Sequence, residues 1–314
     1  MLGKGGSVKT TITAALAKYF SKDKRVLAVD ADQNVNLGGT LGIDNSIDLA
    51  EHQEEILDFF HKNRDDMKEV PKIGTTPPDF NSNFVKIEDN DPILSKFGVS
   101  SGDMILVQAG SYTEKDIGST CYHGKQEVLE ALYHHLLDKE DEVVIADSTA
   151  GLDSLGNSLF MVHDVVFYVV EPTLKSTEVF KMFKKIASSR DIRLKAIANK
   201  IRSDEDLNFV KEKIGEDPIA VFSDSKHIHD LEKGDHDALS RFIDEFSSQF
   251  VAIENYMGSL SKDWDGYYQR LIREHKTISE SWYDDYYGVK ISEKFNPDFS
   301  YVKVIADADK AQDE

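Results

Sequence analysis

Nine residues at the start of the chain have types and spacing suited to binding phosphate: Gly3-Lys4-Gly5-Gly6-Ser7-Val8-Lys9-Thr10-Thr11. A glycine-rich loop that runs into a helix points backbone N–H groups at an anion, and the helix dipole adds positive charge. Lys9 would then reach the β and γ phosphates of a nucleotide, and the Thr10 hydroxyl would bind Mg²⁺. The alternative is a glycine-rich turn that binds no ligand.

Polar side chains end three apolar segments further along the chain. Asp30 and Asp32 end the segment that begins RVLAVD, Asp147 ends VVIAD, and Asn199 ends LKAIAN. In an open α/β sheet the carboxyl ends of the strands face the ligand crevice. We therefore expect these side chains to lie beside the phosphate loop.

The segments between these residues predict the elements that position them. Short β-branched apolar segments, apolar on both faces, alternate with helical patterns from Thr10 to about Leu239, which indicates a doubly wound, mostly parallel α/β sheet. The predicted strands are 25–30, 104–108, 142–147, 165–170, 194–199 and 219–222. The predicted helices are 10–21, 125–137, 175–189, 206–214 and 228–233.

Two regions stand apart from this alternation. Residues 44–102 are polar, and we interpret them as an insertion at the sheet edge with one helix around 49–64. Residues 1–240 would form the main domain and 241–314 an extension, which contains both tryptophans and seven of the twelve tyrosines. The extension either packs as helices (239–257 and 267–276) over the sheet edge or exposes an aromatic face to a partner.

Composition restricts the class of partner. The chain has 314 residues, with 37 basic and 57 acidic side chains and a formal charge of −20. Nucleic-acid binding and attachment to anionic membranes both need basic surface, so we expect neither partner, although a local basic patch could escape this average. A single cysteine, and the absence of an apolar segment of about 18 residues, predict a cytoplasmic protein without a membrane span.

The loop sequence GKGGSVKTT resembles the deviant Walker A motif of the MinD/ParA/nitrogenase-iron-protein group of P-loop ATPases. The resemblance covers roughly residues 1–240. It implies an ATP-dependent homodimer that acts as a switch on a client protein and hydrolyses ATP slowly. In that group the lysine at the position of Lys4 reaches across the dimer to the phosphates bound by the other subunit. Such a cation makes hydrolysis depend on assembly.

The same resemblance assigns roles to the other polar residues. Asp32 would orient the attacking water, Asp30 would lie near Mg²⁺, and Asp147 would hold Mg²⁺ through water. Asn199 would bind adenine. The candidate catalytic residues are thus Lys4, Lys9 and Asp32. ATP would be bound by Gly3, Gly5, Gly6, Ser7, Val8, Lys9, Thr10, Thr11 and Asn199, and Mg²⁺ by Thr10, Asp30 and Asp147.

The chain departs from the group's pattern at two places. Val8 stands where the motif has glycine, and a β-branched residue there is expected to weaken or abolish nucleotide binding. Only Met1 and Leu2 precede Gly3, whereas the group's first strand has five or six apolar residues. Either that strand is truncated or the natural chain begins further upstream. Both departures leave open a second interpretation, a nucleotide-deficient scaffold or regulator.

Among the branches of this group, the chain is most similar to the accessory ATPases that insert nickel into carbon monoxide dehydrogenase. The stretch 34–37 (NVNL), the A-G-x-x-x-x-G pattern at 150–156 and the segment before the helix at 125 carry this likeness. Cys121 and His123 lie where that family has metal-binding cysteines, so two copies could hold one Ni²⁺ or Zn²⁺ at a dimer axis. Alternatively, Cys121 is a lone buried cysteine and His123 a residue at the start of a helix, and they bind no metal. For the chain as a whole, the alternative is a partition ATPase.

Overall fold

The structure, a computed structural model, describes residues 1–43, 47–116, 122–151, 154 and 158–312. Its strands form two four-stranded sheets in the orders β3-β4-β2-β5 and β1-β6-β7-β8, and every pairing is parallel except β3 with β4. The strands are β1 (Leu2–Gly3), β2 (Arg25–Ala31), β3 (Val99–Ser101), β4 (Met104–Gln108), β5 (Glu142–Ser148), β6 (Val166–Val170), β7 (Leu194–Ile201) and β8 (Ala220–Ser223).

The amino terminus joins the two sheets. The Met1 amino group donates a hydrogen bond to the Ala146 carbonyl at 2.5 Å, and the Ser148 N–H donates to the Met1 carbonyl at 3.2 Å. On the other side Leu2 is in register with Tyr168 of β6. The first three residues therefore lie between β5 and β6.

Helices cover both faces of the sheet. One layer, formed by α1, α2 and α8–α10, packs on one face, and α3 and α5–α7 pack on the other. The predicted doubly wound fold is confirmed. The helices are α1 (Lys9–Phe20), α2 (Leu37–Leu41), α3 (Gln53–His61), α4 (Leu94–Phe97), α5 (Tyr122–His134), α6 (Leu174–Ser189), α7 (Asp204–Ile214), α8 (Lys226–Glu232), α9 (Asp237–Glu245), α10 (Ser247–Gly258), α11 (Trp264–Ile278), α12 (Asp284–Tyr287) and α13 (Tyr301–Gln312).

The predicted strands and the five helices between them are present, with ends displaced by at most three residues. The predicted helix 239–257 is two helices, because the chain bends at Phe246 (φ −110°). This bend lets Phe242, Phe246 and Phe250 all contact the ring of Phe222 in β8. The segment 237–258 thereby belongs to the same core as α1.

The described part of the insertion packs beside β4. The predicted helix at 49–64 is a 3₁₀ turn (Leu49–His52) followed by α3, and Ile56 and Phe60 of α3 are buried against the α5 side of the sheet. Strand β3 adds an antiparallel edge to β4.

The carboxyl-terminal extension is helical and aromatic-rich, as predicted. Tyr267, Tyr268, Phe299 and Tyr301 form a buried cluster that reaches α5, where the Tyr267 hydroxyl lies 2.8 Å from Nδ1 of His134. Other aromatic side chains around α12 are exposed. Among the residues that the structure describes, no helix is both long and apolar enough to cross a membrane.

Candidate nucleotide site

The glycine-rich loop connects β1 to α1 in a tight turn. The Ser7 N–H donates to the Lys4 carbonyl at 3.0 Å, and Gly6 has a φ of 80° that favours glycine. A Cβ on Gly3 would lie 2.5 Å from the Ser7 Oγ. Glycine at positions 3 and 6 therefore allows the loop to turn tightly.

Val8 adopts the backbone conformation that a glycine would supply. It caps α1 with φ 65° and ψ 25°, in the left-handed region, which costs a non-glycine residue about 1–2 kcal/mol. The Ile12 N–H donates to the Val8 carbonyl at 3.2 Å, so the first turn of α1 forms normally. The valine is thus in a strained conformation at a position where the first turn of α1 still forms.

Lys9 and three aspartates meet at the start of α1. The Lys9 Nζ lies 2.5 Å from Oδ2 of Asp32 and 3.4 Å from both carboxylate oxygens of Asp147. The Thr10 hydroxyl donates to Asp147 at 2.5 Å. Asp30 accepts the N–H groups of Asp32 and Leu37 at 3.1 and 2.8 Å. Each acid comes from the carboxyl end of β2 or β5, as predicted.

The electrostatics of this cluster favour an additional cation. Burial raises the pKa of Asp30 to about 7, and the nearby Asp147 raises it further. Burial also raises the pKa of Asp147, against the opposing charge of Lys9. Although burial lowers the pKa of Lys9, Asp147 and Asp32 outweigh it, and the pKa is raised. Burial thus disfavours the ionised forms of Asp30 and Asp147, and a cation bound beside them would favour those forms.

A second set of contacts holds the loop from the β7 side. The Asn199 side-chain amide donates to the Ser7 carbonyl at 2.9 Å, and the Lys200 ammonium donates to the Gly6 carbonyl at 2.7 Å. Lys200 also pairs with Glu171 at 2.6 Å. The sequence analysis did not single out Lys200 and Glu171, although Lys200 directly follows Asn199 near the end of β7 and Glu171 directly follows β6.

Three buried polar atoms around the loop have no hydrogen-bond partner in the described part of the chain: Ser7 Oγ, Thr149 Oγ1 and Asn199 Oδ1. Unsatisfied buried polar atoms are rare in folded proteins, and a bound ligand is one way to satisfy them. Among the described residues, the Lys4 ammonium makes one long hydrogen bond (3.4 Å), to the Gly5 carbonyl. Gly5 is exposed, and Thr11 lies in the first turn of α1.

The structure describes neither side chain of the predicted transition-metal pair. Cys121 lies outside the described residues, and of His123 the structure describes only the backbone, in the first turn of α5. Within the described ranges, no group of three or more histidine, cysteine, aspartate or glutamate side chains has the arrangement of a metal site. The Ni²⁺ or Zn²⁺ site therefore stays a prediction.

The chain is similar in sequence to known proteins. An uncharacterised ATP-binding protein of Methanocaldococcus jannaschii is 33% identical over 218 residues, which span 68% of this chain and 79% of that protein. The carbon monoxide dehydrogenase accessory protein CooC of Rhodospirillum rubrum is 29% identical over 212 residues, spanning 66% of this chain and 76% of that protein.

Solved structures share the fold at lower identity. A ParA family ATPase from Chlorobium tepidum TLS superposes with a TM-score of 0.55 at 18% identity, covering 82% of this chain and 96% of that one. The cell division ATPase MinD of Pyrococcus furiosus gives 0.54 at 17%, covering 82% and 97%. A family model described as the CobQ/CobB/MinD/ParA nucleotide binding domain matches residues 1–236. The chain belongs to this family of nucleotide-binding domains.

Proposed function

We propose that this protein binds Mg-ATP, hydrolyses it slowly, and dimerises in response as a molecular switch. The observation that carries the proposal is the buried cluster of Lys9, Thr10, Asp32 and Asp147 at the end of the glycine-rich loop. Lys9 and Thr10 stand at the positions whose side chains bind phosphate and Mg²⁺ in phosphate loops.

We expect Lys9 to exchange the carboxylate of Asp32 for phosphate when ATP binds. Bound phosphate attracts the Lys9 ammonium away from Asp32, whose carboxylate is then free to orient a water molecule for attack. Bound Mg²⁺ neutralises phosphate charge. Thr10 would hold it directly, Asp147 through water, and Asp30 would add negative charge beside it. The pKa of Asp30 would then fall, because a cation favours the ionised carboxylate.

The base and the partner subunit would use the remaining groups. The unpaired Oδ1 of Asn199 is an acceptor suited to the exocyclic amino group of adenine. The free ammonium of Lys4 would reach phosphate bound by a second copy of the chain. We place this assembly in the cytoplasm, in agreement with the single cysteine.

The relative named as a carbon monoxide dehydrogenase accessory protein suggests the client, an enzyme whose metal centre is being assembled. In that role Cys121 and His123 of two copies would bind one Ni²⁺ or Zn²⁺. Zn²⁺ titration with a non-hydrolysable ATP analogue should give about one metal per two chains, weakening as pH falls, because both ligands must lose protons. Equal binding by a Cys121→Ser, His123→Ala double variant would remove the metal from the proposal.

Equilibrium binding of ATP and ADP, with and without Mg²⁺, tests the main proposal. Wild-type protein should bind ATP more tightly with Mg²⁺, Lys9→Met should lose binding, and Lys18→Met, at the other end of α1, should bind as wild type does. A wild-type protein that binds neither nucleotide would contradict the proposal. If Val8→Gly then also fails to bind, the scaffold interpretation, which the strain at Val8 favours, would replace it.

A further inference from the structure

An exposed group of aromatic rings lies in the carboxyl-terminal extension, around α12. Trp282, Tyr286 and Tyr287 are 49%, 72% and 45% exposed. The Trp282 ring stacks on Tyr283 with the ring centroids 3.6 Å apart, and Tyr286 meets Tyr287 edge-on at 4.8 Å. We call these four residues the aromatic patch. A contiguous group of exposed rings, unlike a single one, is typical of an interaction site.

A π-helical turn, Ser279–Tyr283, brings the rings to the surface. The buried face of α11 repeats every three or four residues, and an uninterrupted α-helix would extend that face to positions 282 and 286. Instead the Asp284 N–H donates to the Ser279 carbonyl, five residues back, and Asp284 is the next buried residue after Ser279. Trp282 and Tyr286 are therefore displaced from the buried face.

Contacts with the rest of the chain hold the aromatic patch in position. The Tyr283 hydroxyl donates to Oε1 of Glu127 in α5 at 3.2 Å. Asp284 is buried and accepts the N–H and the hydroxyl of Ser292 at 3.0 and 2.5 Å. A surface whose backbone is already ordered loses less conformational entropy when a partner binds. The aromatic patch is thus preorganised for contact with another molecule.

The charge around the aromatic patch is negative. Residues 279–293 contain four acidic side chains and one basic side chain. Glu280 and Asp285 are exposed and form no ion pair with the described part of the chain, whereas the ammonium of Lys290 lies 3.5 Å from the buried Asp284. Asp285 follows Trp282 by three residues, a spacing that places helical side chains on one face. Two exposed carboxylates therefore accompany the rings without a cation of their own among the described residues.

The rings of the aromatic patch also lack a cation among the residues that the structure describes. Elsewhere in the extension lysines cover rings: the Lys262 ammonium lies 4.2 Å from the ring centroid of Trp264, and that of Lys276 lies 4.4 Å from the centroid of Phe295. The faces of tryptophan and tyrosine rings attract cations because they carry partial negative charge. A cationic group from outside the chain would thus find both ring faces and carboxylates here.

We propose that the aromatic patch is a docking surface for a basic segment of a partner protein, with arginine or lysine side chains over its rings. Charge complementarity argues for this occupant, because a cation over Trp282 or Tyr286 also approaches the carboxylates of Glu280 and Asp285. An acidic or phosphate-bearing partner would be repelled by those carboxylates and by the formal charge of −20. An uncharged partner would bury them without a counter-charge. This inference does not depend on nucleotide binding.

Tryptophan fluorescence of a Trp264→Phe variant of the full chain tests the proposal, because Trp282 is then its only tryptophan. The probe is a peptide of about ten residues in which arginine alternates with glycine, and two comparison peptides carry glutamine or glutamate in place of arginine. The arginine peptide should change the Trp282 emission and protect this ring from acrylamide quenching. The glutamine peptide should bind much more weakly, and the glutamate peptide should not bind.

Fluorescence anisotropy of the labelled arginine peptide then separates the rings from the charges. In the otherwise wild-type chain, Trp282→Ser with Tyr286→Ser removes two exposed rings and should weaken binding about tenfold or more. Glu280→Gln with Asp285→Asn keeps the rings and should weaken binding about fivefold or more. All four side chains are exposed, so both variants should keep the wild-type Tm to within about 2 °C.

A matched control accounts for the overall negative charge of the protein. Glu178→Gln with Asp191→Asn neutralises two exposed carboxylates on and just after α6 and should change the affinity by less than about twofold, because salt screens distant charges.

Three results would overturn the proposal. If the control variant weakens binding as much as Glu280→Gln with Asp285→Asn, the peptide responds only to net charge. If the glutamine peptide binds as tightly as the arginine peptide, the surface does not select cations. If light scattering without nucleotide shows that the wild type self-associates and that Trp282→Ser with Tyr286→Ser is monomeric, the occupant is a second copy of the chain.

Discussion

Replacing Lys9 with methionine tests whether the carboxylates at the start of α1 are buried and depend on the Lys9 ammonium for compensation of their charge. Methionine keeps most of the length and apolar character of the lysine stem and removes its ammonium. Asp32 and Asp147 would then lose their common partner while staying almost fully buried. In the described part of the chain no other side-chain cation lies within ion-pair distance of them.

The expected loss is large because buried charge becomes uncompensated. Removing one member of a buried ion pair costs about 3–5 kcal/mol, which lowers Tm by about 6–20 °C for a domain of this size. The loss should be smaller at pH 6 than at pH 8. Without Lys9 the folded-state pKa of Asp147 rises further, so the stability contributed by its protonated form is present at low pH and lost as pH rises.

Urea unfolding at pH 6 and pH 8 measures both effects. The Lys9→Met, Asp147→Asn double variant should recover part of the loss, because it removes one of the stranded carboxylates. The matched control is Lys200→Met, whose ammonium is more exposed and should cost less. A loss below about 1 kcal/mol for Lys9→Met at pH 8, with no dependence on pH, would refute the buried cluster.

Three further predictions follow from the same structure. Val8→Gly should tighten ATP binding by about tenfold or more, about 1.4 kcal/mol, as measured by calorimetry, and equal affinities would show that Val8 is not a defect. With Mg-ATP, Asp32→Ala should stall hydrolysis and accumulate as a dimer in size-exclusion chromatography. Adding Lys4→Ala to this variant should restore the monomer without loss of ATP binding. A dimer that responds neither to nucleotide nor to the loss of Lys4 contradicts the switch. Burial lowers the pKa of His275 to about 4. The wild type should therefore lose stability as pH falls below about 6.5, by up to about 1.4 kcal/mol per pH unit for this group. His275→Gln should show a shallower pH dependence of the free energy of unfolding in urea.

The sequence was sufficient to predict structural features that depend on residues close together in the chain. The phosphate loop, the acids at strand ends and the alternation of strands and helices each follow from spacing within a dozen residues. The pairing of Lys9 with Asp32 and Asp147 could not be predicted, because it depends on which strands become neighbours. The break between α9 and α10 at Phe246 could not be predicted either, because it depends on contacts with Phe222 across the core.

The two positive φ values beside the loop were the features hardest to predict from the sequence. Val8 at 65° and Lys200 at 58° are non-glycine residues in a region that sequence reasoning assigns to glycine. Val8 caps the start of α1, and Lys200, near the end of β7, donates from its ammonium to the Gly6 carbonyl. The strain is offset by contacts distant in sequence, which no local pattern reveals.

Residues of both sheets contact the glycine-rich loop and the start of α1. Asp147 approaches the loop from β5, in one sheet, and Asn199 and Lys200 approach it from β7, in the other. Between them the two sheets are connected by the short β1 alone in the described sheet order, so the relative position of these groups depends on how firmly β5 and β6 are held together.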